Sequence, residues 1–170
     1  DKPVTTQRLR QVFSDLSGEE IERFLNELVT EWDSLDRGFK LYEVAGGYQF
    51  RTSSRFSDFI IRFKQLKPFR LSRAALEVLA IVAYRQPITR IEIDQIRGVD
   101  SSGVIALLLE RRLIQIKGRK DVIGKPFLYS TTDEFLETFG LGGLGDLPTL
   151  KELGEIERLL QHPLGGFDQR

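Results

Sequence analysis

Residues 71–98 read LSRAALEVLAIVAYRQPITRIEIDQIRG. Ser72 offers a side-chain oxygen to the free amides of a helix start. The run Ala74-Ala75-Leu76-Glu77-Val78-Leu79-Ala80-Ile81-Val82-Ala83 is apolar nearly all round, which predicts a central, buried helix to about Tyr84. Gln86-Pro87 ends it, because the proline ring crowds the preceding residue out of the helical region. Thr89 and Glu92 form a capping-box pair that opens a short helix to about Arg97, and Gly98 closes it.

Working outward toward the C-terminus, Asp100 or Ser101 starts a third helix through Arg112. Leu113–Lys117 and Phe127–Ser130 read as strands, and the stretch Gly118–Pro126 between them is a loop. Three helices followed by a two-stranded ribbon make a winged helix.

Working outward toward the N-terminus, the chain repeats itself at an offset of 84 residues. Pro3-Val4-Thr5 falls on Pro87-Ile88-Thr89, Leu9 on Ile93 and Val12 on Ile96. Ile21 falls on Ile105, Phe24 on Leu108 and Leu25 on Leu109. A shared register at helical spacings predicts one fold used twice. In the first copy a short helix spans about Thr6 to Phe13, and Ser17 with Glu20 caps a long helix to about Asp33. Phe39–Ala45 and Tyr48–Thr52 are strands around a Gly46-Gly47 loop. Only two residues precede Pro3, so the first copy is expected to lack its opening helix here, with a longer chain supplying it.

Between the copies, Phe56, Phe59, Ile60 and Phe63 predict a connecting helix with one apolar face, and Pro68 marks a boundary. Thr131 with Glu134 caps a helix after the second copy. A glycine-rich joint follows at 140–145, and Thr149 with Glu152 caps a last helix to about Leu160. The expected architecture is mainly α with small β-hairpin wings, in tandem winged-helix domains. Residues 1–66 form the first domain and connecting helix, 67–140 the second domain, and 141–170 the joint and C-terminal helix.

Composition limits the chemistry. There are 25 basic and 25 acidic side chains and no Cys, so thiolate metal sites and disulfides are excluded. The single His, His162, has no Cys beside it and is a poor metal site. No run reaches the roughly 18 apolar residues of a membrane span, and a soluble protein of a reducing compartment is expected. No Ser-His-Asp set and no phosphate-loop ending appear, so no catalytic, cofactor or metal residue is assigned and an enzyme is not expected. The third helix of the first copy carries Glu19, Glu20, Glu22, Glu27, Glu31 and Asp33 against Arg23, which phosphate would repel. The second wing holds Lys117, Arg119, Lys120 and Lys125 against Asp121, and these are the candidate DNA contacts of an alternative reading, a winged-helix transcription regulator. Twelve Phe and four Tyr suffice to fill more than one small core, yet Trp32, Phe39, Tyr42, Tyr48, Phe127 and Tyr129 are not all expected to fit inside two of them, which points to partner surfaces.

Several motifs together resemble the bacterial segregation and condensation protein B family. They are Leu71-Ser72-Arg73, Gln86-Pro87-Ile88-Thr89, Ile96-Arg97-Gly98-Val99-Asp100, Gly124-Lys125-Pro126-Phe127-Leu128-Tyr129 and Asp146-Leu147-Pro148-Thr149-Leu150. Gly46-Gly47-Tyr48-Gln49-Phe50-Arg51-Thr52 is similar to the family's first-domain hairpin. The resemblance implies a homodimeric accessory subunit that binds the kleisin, segregation and condensation protein A, and through it the ATPase of the structural-maintenance-of-chromosomes complex. It implies a cytoplasmic, nucleoid-associated role in chromosome condensation and partition before division, with DNA contacted weakly or indirectly and no membrane. On that basis Phe127, Tyr129, Leu141, Leu144 and Leu147 are expected kleisin contacts, and Phe24, Leu28 and Trp32 expected dimer contacts.

Overall fold

The computed structural model describes residues 2–65, 70–149 and 151–152. In the second unit, Ser72 accepts a bond from the Ala75 amide and opens helix α4, Arg73–Arg85. Strand β3 (Ile88–Thr89) leads into helix α5, Arg90–Arg97, through a reciprocal Thr89–Glu92 capping box. Gly98 closes α5 in the left-handed region at φ +73, where a Cβ is costly. Helix α6 spans Ser102–Glu110, and strands β4 (Ile114–Arg119) and β5 (Phe127–Thr131) form the wing.

The sheet order is β3-β5-β4, all antiparallel. The two-residue β3 escapes a pattern reading because a strand that short has no period to detect. The third helix stops at Glu110, short of the expected Arg112, because Arg112 turns left-handed at φ +57 and its carbonyl accepts the Thr132 hydroxyl. The core gathers Val78, Leu79, Val82, Ile93, Ile105 and Leu108 with Tyr129 and Phe135. Each such side chain contributes about 1.5–3 kcal/mol when removed from water.

The first unit repeats the plan without an equivalent of α4 among its described residues. Thr5 caps helix α1 (Thr6–Val12), and Ser17 with Glu20 makes a reciprocal capping box for helix α2 (Gly18–Ser34). Strands β1 (Phe39–Val44) and β2 (Gly47–Thr52) pair antiparallel. Val4 bridges Tyr48, as Ile88 pairs with Tyr129 in the second unit, and Thr5 caps α1 as Thr89 caps α5. Ile21, Leu41 and Val44 are its buried hydrophobic side chains among the described residues, so this core is thin.

The hairpin loop lies one residue earlier than expected. Ala45 and Gly46 are the left-handed pair, at φ +51 and +67, while Gly47 is the first residue of β2. Packing explains the shift: a Cβ on Gly47 would stand 2.9 Å from the Val4 carbonyl carbon and 3.1 Å from Pro3 Cβ. Gly47→Val is therefore expected to break the Val4–Tyr48 bridge and cost about 1–3 kcal/mol, read as a lower urea midpoint. An unchanged midpoint would mean that the Val4 strand does not sit on the hairpin.

The connection is a 3-10 turn (Ser54–Phe56) running into helix α3, Ser57–Lys64. Its expected single apolar face is split, since Phe56 and Ile60 are half-buried but Phe59 and Phe63 face solvent. Pro68 lies outside the described residues. After the wing, helix α7 spans Asp133–Phe139 and is capped by Thr132, not Thr131. Thr131 is buried in β5, where its amide and hydroxyl both donate to Gln86 Oε1 at 2.8 and 3.0 Å. Thr149 and Glu152 do form a capping box, while the expected helix to Leu160 and His162 fall outside the described residues.

Candidate partner-binding groove

Helix α4 was expected to be buried all round, and one face is not. Leu76, Ala80 and Tyr84, spaced four apart, lie on that exposed stripe. The opposite stripe fills the core. Beside the exposed stripe stand Phe135 and Phe139 of α7, whose rings tilt together at 5.0 Å. Leu141, Leu147 and Pro148 close the far wall, and the result is a groove of about 370 Å³ with an almost wholly apolar lining.

The wall is built by local rules. Gly140 takes the left-handed conformation past the end of α7. The Leu141 amide donates to the Leu136 carbonyl at 2.9 Å and the Gly140 amide to the Glu137 carbonyl at 3.4 Å, the double closure of a Schellman motif. That closure turns Leu141 back toward the helix and into the wall. Asp146 then accepts from the Gly142 and Gly143 amides at 2.7 and 3.2 Å, which folds the glycine run into a fixed loop ending in the 3-10 turn Leu144–Asp146. The Tyr84 hydroxyl donates to the Pro148 carbonyl at 2.6 Å and fastens the segment across the groove end.

The expected kleisin contacts divide on this geometry. Leu141 and Leu147 line the groove. Leu144 is exposed nearby on the 3-10 turn but does not line it. Phe127 sits on the wing under the Arg119 guanidinium, 4.0 Å from its ring centre. Tyr129 is only 7% exposed and belongs to the core, because its strand lies between β3 and β4; it has no free face for a partner. Leu76, Ala80, Tyr84 and Phe139 were missed. For Leu76 and Ala80 the signal was a helix apolar except at Glu77, which cannot hide every face in so small a unit; Tyr84 lies near the end of that helix and Phe139 on α7.

The expected dimer residues also separate. Trp32 is held inside the first unit, 5.0 Å from Phe39 and 4.9 Å from Phe50, with Arg37 over its ring. Leu28 is half-buried, and Phe24 is 46% exposed.

The wing is less available to phosphate than its charge suggests. Lys120 pairs with Glu92 at 2.7 Å, and Arg119 donates to the Lys125 carbonyl at 2.9 Å. Lys117 and Lys125 are exposed. Helix α6, in the position of a recognition helix, reads SGVIALLLE and carries no basic side chain.

The Lys120 ammonium, and then the Thr89 hydroxyl and amide, hold the Glu92 carboxyl at about 2, well below the ordinary value. A carboxyl whose pKa is depressed on folding stabilises the fold above the unfolded value of about 4.3. That contribution fades as the pH falls from there toward 2. Glu92→Gln is expected to cost about 1 kcal/mol at pH 7, kept small by solvent screening of the ion pair. The gap from wild type narrows at pH 3 in urea titrations. A constant gap across that range would refute the pairing.

Among the described residues no group of three or more His, Cys, Asp or Glu is placed to hold a metal ion, and no helix is long and apolar enough to cross a membrane. The family model described as Segregation and condensation complex subunit ScpB matches residues 1–150. A Segregation and condensation protein B of Syntrophotalea carbinolica is 49% identical over 166 residues, which are 98% of this chain and 84% of that protein. One from Myxococcus xanthus is 45% identical over 156 residues, 92% of this chain and 47% of that protein. The crystal structure of ScpB from Mycobacterium tuberculosis shares 33% identity across 83% of this chain and 88% of that chain, with a TM-score of 0.42. The matched span takes in both winged-helix units and the groove wall, and the chain belongs to the segregation and condensation protein B family.

Proposed function

We propose that this chain is a non-enzymatic accessory subunit of the bacterial structural-maintenance-of-chromosomes complex, and that it binds the kleisin through the α4–α7 groove. In this reading it works in the cytoplasm, on the nucleoid, and its family's part in segregation and condensation is played by holding the kleisin in place. The observation that carries the reading is the groove: an apolar stripe on α4, walled by α7 and a fixed loop, on a surface where a soluble chain would otherwise place polar residues. An amphipathic helix or extended apolar segment fits such a cleft. A second copy would pair through the exposed face of α2 around Phe24, the same patch being used twice.

The test is a calorimetric titration of this chain with the middle segment of segregation and condensation protein A from the same organism. Saturable binding at micromolar concentration or tighter supports the reading. No heat and no co-elution on size exclusion would end it. The regulator alternative is not favoured, because α6 offers no base-reading cation and Lys120 is already paired within the chain.

A further inference from the structure

The segment that walls the groove also holds the first unit. The Ala45 amide donates to the Leu141 carbonyl and the Gly46 amide to the Gly142 carbonyl, both at 2.8 Å. Arg51 of β2 donates from its guanidinium to the Glu137 carbonyl at 2.7 Å. Leu141 therefore faces two ways: its side chain lines the groove while its carbonyl anchors the hairpin tip.

The segment between these contacts is tied down along its length. The Schellman closure fixes it to α7, Asp146 braces its glycine amides, and Tyr84 holds Pro148. A displacement at Leu141 is transmitted along such a strap, whereas a slack loop would absorb it. We propose that the strap is a latch coupling the arrangement of the two units to occupancy of the groove, the closed latch favouring the occupied state. The inference rests on the docking reading for the identity of the occupant. An occupant that packs on Leu141 in its present place binds best while the hairpin holds that carbonyl. By linkage, occupancy must then tighten the hairpin contact in return.

Gly142 gives a way to force the latch. A Cβ there would meet the Asp146 carboxylate at 3.0 Å and Glu43 Cγ at 3.7 Å, and Gly142 does not line the groove. Gly142→Val drives a wedge between strap and β1. The pair Glu43→Cys with Gly142→Cys offers a bridge in a chain with no cysteine of its own, since a Cβ at 142 lies 3.7 Å from Glu43 Cγ, the atom that a cysteine sulfur would replace. The oxidised pair is expected to bind the kleisin middle segment about tenfold more tightly than Gly142→Val, with its reduced form between them. Saturation with that segment should slow amide exchange at Ala45 and Gly46 about tenfold. Ala80→Phe, which fills the groove from within, should slow the same amides with no partner present.

Equal affinity for the oxidised, reduced and wedged forms would overturn the coupling. So would unchanged exchange at Ala45 and Gly46 both in Ala80→Phe and in the saturated wild type. If the segment binds no form yet Ala80→Phe still slows those amides, the latch stands and the kleisin reading falls. Comparing oxidised with reduced protein uses one polypeptide, so a folding defect in Gly142→Val does not decide the outcome.

Discussion

Ala80→Glu is expected to weaken binding of the kleisin middle segment roughly a hundredfold while leaving the melting temperature near wild type. Ala80 lies in the middle of the exposed α4 stripe, between Leu76 and Tyr84, and faces out of the core. A carboxylate there stays hydrated in the free protein, so folding is barely disturbed. An apolar occupant would have to strip that water, and among the described residues no cation lines the groove to replace it. The cost therefore falls almost entirely on the complex. Calorimetry with a parallel thermal melt separates the two terms. An Ala80→Glu variant that binds as tightly as wild type would place the kleisin elsewhere on the surface.

Leu108→Ala should destabilise the second unit by about 2–5 kcal/mol, because the side chain is fully buried beneath α4 and a cavity would remain. Phe24 occupies the corresponding position of the repeat, yet it is exposed. Phe24→Ala should cost less than about 1 kcal/mol at low concentration, where only the monomer is probed. Urea titrations of the two variants side by side test whether one repeat position has opposite roles in the two units. Equal losses would show that Phe24 is covered in solution.

The legible parts of the fold were those written in local chemistry. Ser17, Ser72 and Thr89 announced helix starts, and each side chain makes its cap. The repeat was visible as a register of apolar residues, and it reached as far as Val4, whose bridge to Tyr48 matches that of Ile88 to Tyr129. The misread parts depended on contacts distant in sequence. Gly47 looked like a turn residue because nothing local reveals that Val4 lies against it. Thr131 resembled a cap, but Gln86, 45 residues away, claims it for the sheet.

The candidate site was half legible for the same reason. Leu141 and Leu147 entered as contacts that the family resemblance implies, and both line the groove. The opposite wall was hidden inside a helix whose run from Ala74 to Ala83 is apolar except at Glu77. Burial of one stripe and exposure of the other is decided by what packs on α4, and a single charged residue, Glu77, between Ala74 and Ala83 gives periodicity little to work with. The glycine run read only as a joint, because nothing in its composition reveals that the Asp146 carboxylate accepts from the Gly142 and Gly143 amides.

The ion pair between Lys120 and Glu92, together with the Arg119 guanidinium lying on Phe127, has a consequence for behaviour in electrolyte. A polyanion binder that covers six to ten phosphates sheds condensed counterions and loses about a thousandfold or more in affinity between roughly 50 and 200 mM salt. Here one of the ribbon's four cations, Lys120, is neutralised by Glu92, and the described lining of the groove is apolar, so filling the groove releases few counterions. Association through the apolar cleft should ride almost level across that range of ionic strength.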